Sequence, residues 1–223
     1  MPPRATWATG ITRCQQGLDC SPDPLNTAGA LGYLGTAHLE HGDVLQAIPL
    51  LEQSIQQWQK FHFPQLQGWF TALLGEAYLL RGDVEQGQSL ARQGLVITQE
   101  VRFSYGMGIA QRVLGKVQQA RGQCTEAEAC LQDALHTFST MSAHFEVGRT
   151  HLALAELAQL QGNHQAATLH LHNAYTLFQR LQLPCYVERT NARATMLGVS
   201  LTTENGCTLS APERSLALPG TGD

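Results

Sequence analysis

Apolar and small residues recur along this chain at helical spacing, and the whole recurrence then repeats. The stretch Leu34-Gly35-Thr36-Ala37-His38-Leu39-Glu40-His41-Gly42-Asp43-Val44-Leu45-Gln46-Ala47 returns as Leu74-Gly75 through Arg81-Gly82-Asp83 to Gly87. It comes back again as Leu114-Gly115 through Arg121-Gly122-Gln123 to Ala127, and as Leu154-Ala155 through Gln161-Gly162-Asn163 to Ala167. The turn glycines stand at 42, 82, 122 and 162, so the period is 40 residues. A fixed period of this length marks a solenoid, whose units are too small to bury their own apolar faces and must stack on one another.

Each unit reads as a helical hairpin. In the first, a helix runs from about Asn26 to Glu40, with Leu31, Leu34 and Leu39 among its apolar positions. Gly42 ends it in the left-handed conformation. Asp43 is expected to cap the next helix, with Gln46 three residues on as in a capping box. Asp83 and Gln86 repeat the arrangement and Asn163 caps the fourth unit, whereas Gln123 leaves the third without a good cap unless Thr125 supplies it. Small residues mark the helix crossing: Gly35, Gly75, Gly115 and Ala155 on first helices, Ala47, Gly87, Ala127 and Ala167 on second helices. A later row, Ser54, Gly94, Ala134 and Ala174, is expected to admit the following unit. Large residues fill the gaps, with Leu51, Leu131 and Leu171 followed by Trp58, Phe138 and Phe178. Pro49 falls inside a second helix, where it removes a backbone hydrogen bond and is expected to kink it.

The ends differ from the middle. Residues 1–20 hold a partial repeat, a second helix without its first, and 21–183 hold the four units. Breaks at Ser21-Pro22-Asp23-Pro24, His62-Phe63-Pro64, Arg102-Phe103-Ser104, Ser142-Ala143-His144 and Gln182-Leu183-Pro184 separate one hairpin from the next. Residues 184–198 form a helix that covers the open end of the stack. From 199 to 223 the periodicity fades and a disordered tail is expected.

Composition narrows the function. Charged residues make up 14% of the chain and the formal net charge is −4, against the basic excess of a dedicated nucleic-acid binder. The most apolar stretch, Ala72 to Leu80, is too short to span a bilayer, and the N-terminus lacks the apolar core of a signal peptide. Six cysteines without a CxxC pair suit a reducing cytoplasm. His38 and His41, or His170 and His172 with His164, lack an acidic or cysteine ligand at helical spacing, so no metal is expected. Gly108 to Lys116 has the wrong glycine spacing for a phosphate loop and lies within a helix. With no nucleophile elbow and no singled-out carboxylate pair, neither enzymatic activity nor a cofactor is expected.

The row Leu-Gly-x-x-(Tyr/His)-x-x-x-Gly-(Asp/Asn)-x-x-x-Ala resembles the tetratricopeptide repeat (TPR). Tyr78 stands at the family's aromatic position, while His38, Gln118 and Ala158 depart from it. The usual period is about 34 residues, so this is a longer-helix variant. It is similar to the helical arms of bacterial signal-transduction ATPases of the maltose-regulator and cyclase-linked types. The resemblance implies an all-α, right-handed α-solenoid with a concave groove lined by first-helix residues. These are Gly29, Gly32, Thr36 and Leu39; Trp69, Ala72, Glu76 and Leu79; Ile109, Arg112, Lys116 and Gln119; Arg149, Leu152, Glu156 and Gln159; and Arg189 on the last helix. Arg112, Lys116, Arg149 and Arg189 either converge on a carboxylate-bearing partner or pair with Glu76, Glu156 and Glu188 and keep the groove solvated. Trp69 either anchors a partner or packs on the neighbouring helix. The expectation is a cytoplasmic interaction or sensing module that binds a protein or peptide, or another domain of a larger signalling protein. The alternative is a receptor for a small ligand or signalling peptide.

Overall fold

The structure, a computed structural model, describes residues 4–20, 23–199 and 201. Among them the chain forms α1 (Arg4–Cys20), α2 (Pro24–His41), α3 (Val44–Lys60), α4 (Pro64–Leu80), α5 (Val84–Glu100), α6 (Ser104–Ala120), α7 (Cys124–Thr140), α8 (His144–Leu160), α9 (His164–Arg180) and α10 (Pro184–Met196). No strand occurs among the described residues, and no helix there is long and apolar enough to cross a membrane. Four hairpins, α2–α3 to α8–α9, stack in chain order between α1 and α10. The tail predicted for 199–223 lies outside the described residues except at Val199 and Leu201, which pack against the core cluster around Leu171, Phe178 and Tyr186.

Two kinds of turn alternate. Inside each hairpin Gly42, Gly82, Gly122 and Gly162 take positive φ between 72° and 95°. Between hairpins the same left-handed step falls on His62, Arg102, Ser142 and Gln182, at φ 52–55°. Both kinds are closed by a backbone bond spanning five residues, as in Asp43 N–H to the His38 carbonyl and Phe63 N–H to the Trp58 carbonyl, the Schellman geometry that satisfies a helix's last carbonyls. Side-chain caps are uneven. Asp83 accepts from the Gln86 N–H and Asn163 from the Ala166 N–H, at 3.1 and 3.0 Å. Asp43 makes no such bond; its carboxylate takes His41 Nδ1 at 2.8 Å, so the expected cap is replaced by a side-chain pair. Gln123 makes no side-chain cap bond either. The α3 helix runs unbroken through Pro49, which is exposed.

Within the first, third and fourth hairpins, small positions face large ones. A Cβ on Gly35 or Gly115 would come within 2.8 or 2.6 Å of Leu51 or Leu131, and one on Gly108 or Gly148 within 2.7 Å of Phe138 or Phe178. The second hairpin is the tightest: a Cβ on Gly75 would meet the Ala91 nitrogen and Gly87 oxygen at 2.9 Å, so there backbone meets backbone. Of the row Ser54, Gly94, Ala134 and Ala174, expected to admit the following unit, two members make close contacts within their own unit. Gly94 lies against Gly68 and Ala72, and the Ser54 hydroxyl donates to the Ala28 carbonyl at 2.7 Å. Both contacts are with the first helix of the same unit, and each second helix also packs on the first helix of the following unit.

Candidate functional site

First helices pack against first helices along one side of the stack, α2 on α4, α4 on α6 and α6 on α8. This inner face collects most of the proposed groove residues. Lys116 Nζ donates to Glu76 Oε1 at 2.5 Å. Arg112, wholly buried, donates to Glu146, which also accepts from the Tyr105 hydroxyl at 2.9 Å. The Arg112 guanidinium lies 5.5 Å from the centre of the Phe138 ring. Arg149 pairs with Glu40 and reaches Glu146 at 3.5 Å and Glu76 at 3.8 Å. Glu40 accepts from the Tyr186 hydroxyl at 2.5 Å and lies 3.8 Å from Arg189. Glu156 pairs with Arg193.

These charges are mutually adapted. Burial alone would raise the Glu76 carboxyl, but Lys116, Arg149 and Arg112 hold it well below the usual carboxylate range. Glu146 is likewise depressed, because Arg112 and Arg149 outweigh its desolvation. Burial works against the Arg149 charge, yet Glu40, Glu146, Tyr186 and Glu76 push its pKa well above the ordinary value. Desolvation pulls Lys116 down despite Glu76. It also raises the Tyr186 and Tyr105 phenols, each further raised by the carboxylate it serves, so both remain hydrogen-bond donors.

Of the residues singled out in the sequence, Glu76, Arg112, Lys116 and Arg149 meet in one network, Glu156 extends it through Arg193, and Arg189 stands at its rim, 47% exposed. Trp69 sits apart in an aromatic run, stacked on Phe70 at 4.8 Å with its edges toward Tyr33 and Tyr105 at 5.9 and 5.2 Å. Ala72 and Ile109 belong to the core, and Gly32 makes room for the Phe70 ring. Glu188 forms none of these pairs; it borders a hollow at the chain's C-terminal side with Gln179, Leu183 and Val187. Sequence reasoning missed Glu40, Tyr105, Glu146, Tyr186 and Arg193. A signal existed for one of them: Glu40 occupies a register position held elsewhere by Leu80, Ala120 and Leu160.

The histidines group differently from their sequence spacing. His38 and His41 both turn to Asp43, at 3.6 and 2.8 Å, and His170 meets His151 with their Nδ1 atoms 3.0 Å apart. Among the described residues no three His, Cys, Asp or Glu side chains gather as metal ligands would. The glycine-rich Gly108–Lys116 segment is helical throughout, within α6.

No protein-family model matches the chain, and no curated protein matches it. Solved structures do. BtubC from P. vanneervenii is 15% identical, with 98% of this chain and 97% of that one covered at a TM-score of 0.56. A Rap protein complexed with Competence and Sporulation Factor is 11% identical and superposes with a TM-score of 0.73, covering 87% of this chain and 55% of its own. The Pyrococcus horikoshii protein PH0952, a Signal Transduction ATPase with Numerous Domains with a tetratricopeptide repeat sensor, is 13% identical over 87% of this chain and 30% of that one, at 0.57. The fold is a TPR-type helical repeat. At these identities the likeness speaks for architecture, an all-α solenoid of stacked hairpins, and the chain spans about half of the Rap protein and a third of PH0952. Within a TPR-type solenoid the inner face is set by first helices, which is where the ionic network lies.

Proposed function

We propose that this chain is a non-enzymatic protein-interaction or sensing module, the TPR arm of a bacterial signalling ATPase or transcriptional regulator, whose partner docks on the inner face. One observation carries the reading: charged side chains from five helices, α2, α4, α6, α8 and α10, converge there although the chain as a whole is poor in charge. Charges fixed in this way give the inner face an electrostatic pattern that a partner must match. The exposed Tyr33 beside Trp69 adds an aromatic edge of the sort that anchors interfaces. Domain organisation follows the same reading, with residues 1–20 a half unit, 21–183 the recognising units, 184–198 the cap and the remainder a tail.

A receptor for a small ligand is less favoured. The cleft between Glu40, Glu76, Lys116, Arg149, Tyr186 and Arg189 encloses about 60 Å³, room for a few water molecules and far below the roughly 300 Å³ at which ordinary ligand pockets begin.

Photo-crosslinking tests the docking face. A crosslinker at Tyr33 or Leu80, on the inner side, should yield discrete adducts from extracts of the source cells, weakened by Arg189→Glu. The same group at Leu45 or Val96, exposed on second helices, should not. Equal adducts on both faces would refute inner-face recognition, and turnover by the purified protein would overturn the non-enzymatic assignment.

A further inference from the structure

Glu40 is held in a place its own helix disfavours. It lies in the last turn of α2, where the carbonyl end of a helix repels a carboxylate, and the equivalent positions of the other units carry no charge. What holds it is a cradle from the far end of the chain: Arg149 on α8 and the donating Tyr186 hydroxyl at 2.5 Å on α10, with the Arg189 guanidinium of α10 an ion-pair neighbour at 3.8 Å. The Tyr186 contact spans 146 residues of sequence, so one side chain ties the first hairpin to the end of the stack.

The cradle exceeds the needs of that tie. Five cations on the inner face, Arg112, Lys116, Arg149, Arg189 and Arg193, meet four carboxylates, Glu40, Glu76, Glu146 and Glu156. Glu76, Glu146 and Glu156 each have a cation of their own on an adjacent first helix or on α10. Glu40 alone comes from the opposite end. Removing it leaves five cations facing three carboxylates, with Arg189 already half open to solvent. Arg and Tyr donors set around one oxygen pair form a recognition site for a carboxylate.

We propose that Glu40 is the resident occupant of a carboxylate-binding cradle formed by Arg149, Tyr186 and Arg189, and that a glutamate side chain of an acidic segment on a partner protein replaces it, releasing the first hairpin from the end of the stack. The proposal rests on inner-face docking and names the chemistry of the partner. Exchange conserves the hydrogen bonds of the cradle, so it is driven by charge complementarity over the rest of the segment and by relief of Glu40 from its helix end.

The test uses the full chain, its Glu40→Gln variant, and Glu40→Leu, which installs the residue of the second and fourth units, should Gln impair folding. The probe is a fluorescent peptide of alternating Glu and Ala, acetylated and amidated so that only side-chain carboxylates are present, with an all-Gln counterpart. Removing the internal competitor raises the fraction of competent cradles. The expected result is about tenfold tighter binding of the Glu peptide to the variant, no binding of the Gln peptide, and loss of the gain on adding Tyr186→Phe and Arg189→Ala. Spin labels on α2 and α10 should move apart in the variant and in wild type saturated with peptide. Unchanged affinity in a folded variant would overturn the proposal, as would an unchanged label distance. Inner-face crosslinks that persist alongside unchanged peptide affinity would retire the cradle alone; their absence would retire the docking reading beneath it.

Discussion

The seams inside the hairpins and the inner face of the stack are built on opposite terms. A seam is small against large and recurs: Gly35 with Leu51, Gly115 with Leu131, Gly108 with Phe138, Gly148 with Phe178. The inner face does not recur: one register position reads Thr36, Glu76, Lys116, Glu156. Seams of this kind, in the first, third and fourth hairpins, therefore repeat one packing solution, whereas the inner face works only as a set, because each charge is buried on the condition that its partner is present. That contrast separates what makes the chain a solenoid from what individualises it.

The sharpest way to break the contrast is Arg112→Ala. Leaving Glu146 buried with only Arg149, at 3.5 Å, and the Tyr105 hydroxyl to offset its charge should cost about 2–4 kcal/mol in chemical denaturation, while Arg112→Met with Glu146→Leu should restore most of it. A cost below about 1 kcal/mol would show the network to be ornamental. Next comes Gly75→Val, whose side chain has backbone on two sides and should lose about 1–3 kcal/mol. Gly10→Ala on α1, with nothing within 4 Å, should instead gain up to about 1 kcal/mol; equal effects would dissolve the seam argument. Capping supplies a subtler comparison: Asn163→Ala should cost about 1 kcal/mol, and Asp43→Ala clearly less, since Asp43 bonds His41 and not its helix.

The smallest expected effect is a pH dependence. Burial beside His170 lowers His151 to about 4 from an ordinary 6.5, and His170 is itself lowered by burial. The unfolded chain therefore binds protons at a pH where the folded one does not, and stability should decline as pH falls from 6.5 towards 4, by on the order of 1 kcal/mol for so partly screened a site. His151→Phe should flatten that stretch of the profile. Glu76 and Glu146, both depressed, add a further loss that begins as pH falls into the ordinary carboxylate range and continues below it.

How far the chain could be read in advance depended on the range of each interaction. Gly42, Gly82, Gly122 and Gly162 announced their turns, since left-handed backbone favours glycine. His62, Arg102, Ser142 and Gln182 adopt the same conformation without any such mark, held by the five-residue backbone bonds that close each junction. Glu76 and Lys116, one period apart, were found through the register. Glu146 and Tyr186 were not, because their partners Arg112 and Glu40 lie 34 and 146 residues away and off the 40-residue step.

Periodicity alone determined that this chain stacks helical hairpins, where each helix ends and which residues are small at the crossings, because those features depend on neighbours within one unit. The tertiary structure decided which charges share the inner face and that the first unit is tied to the last. Curvature brings those side chains together, and it accumulates from small rotations between units that no single repeat encodes.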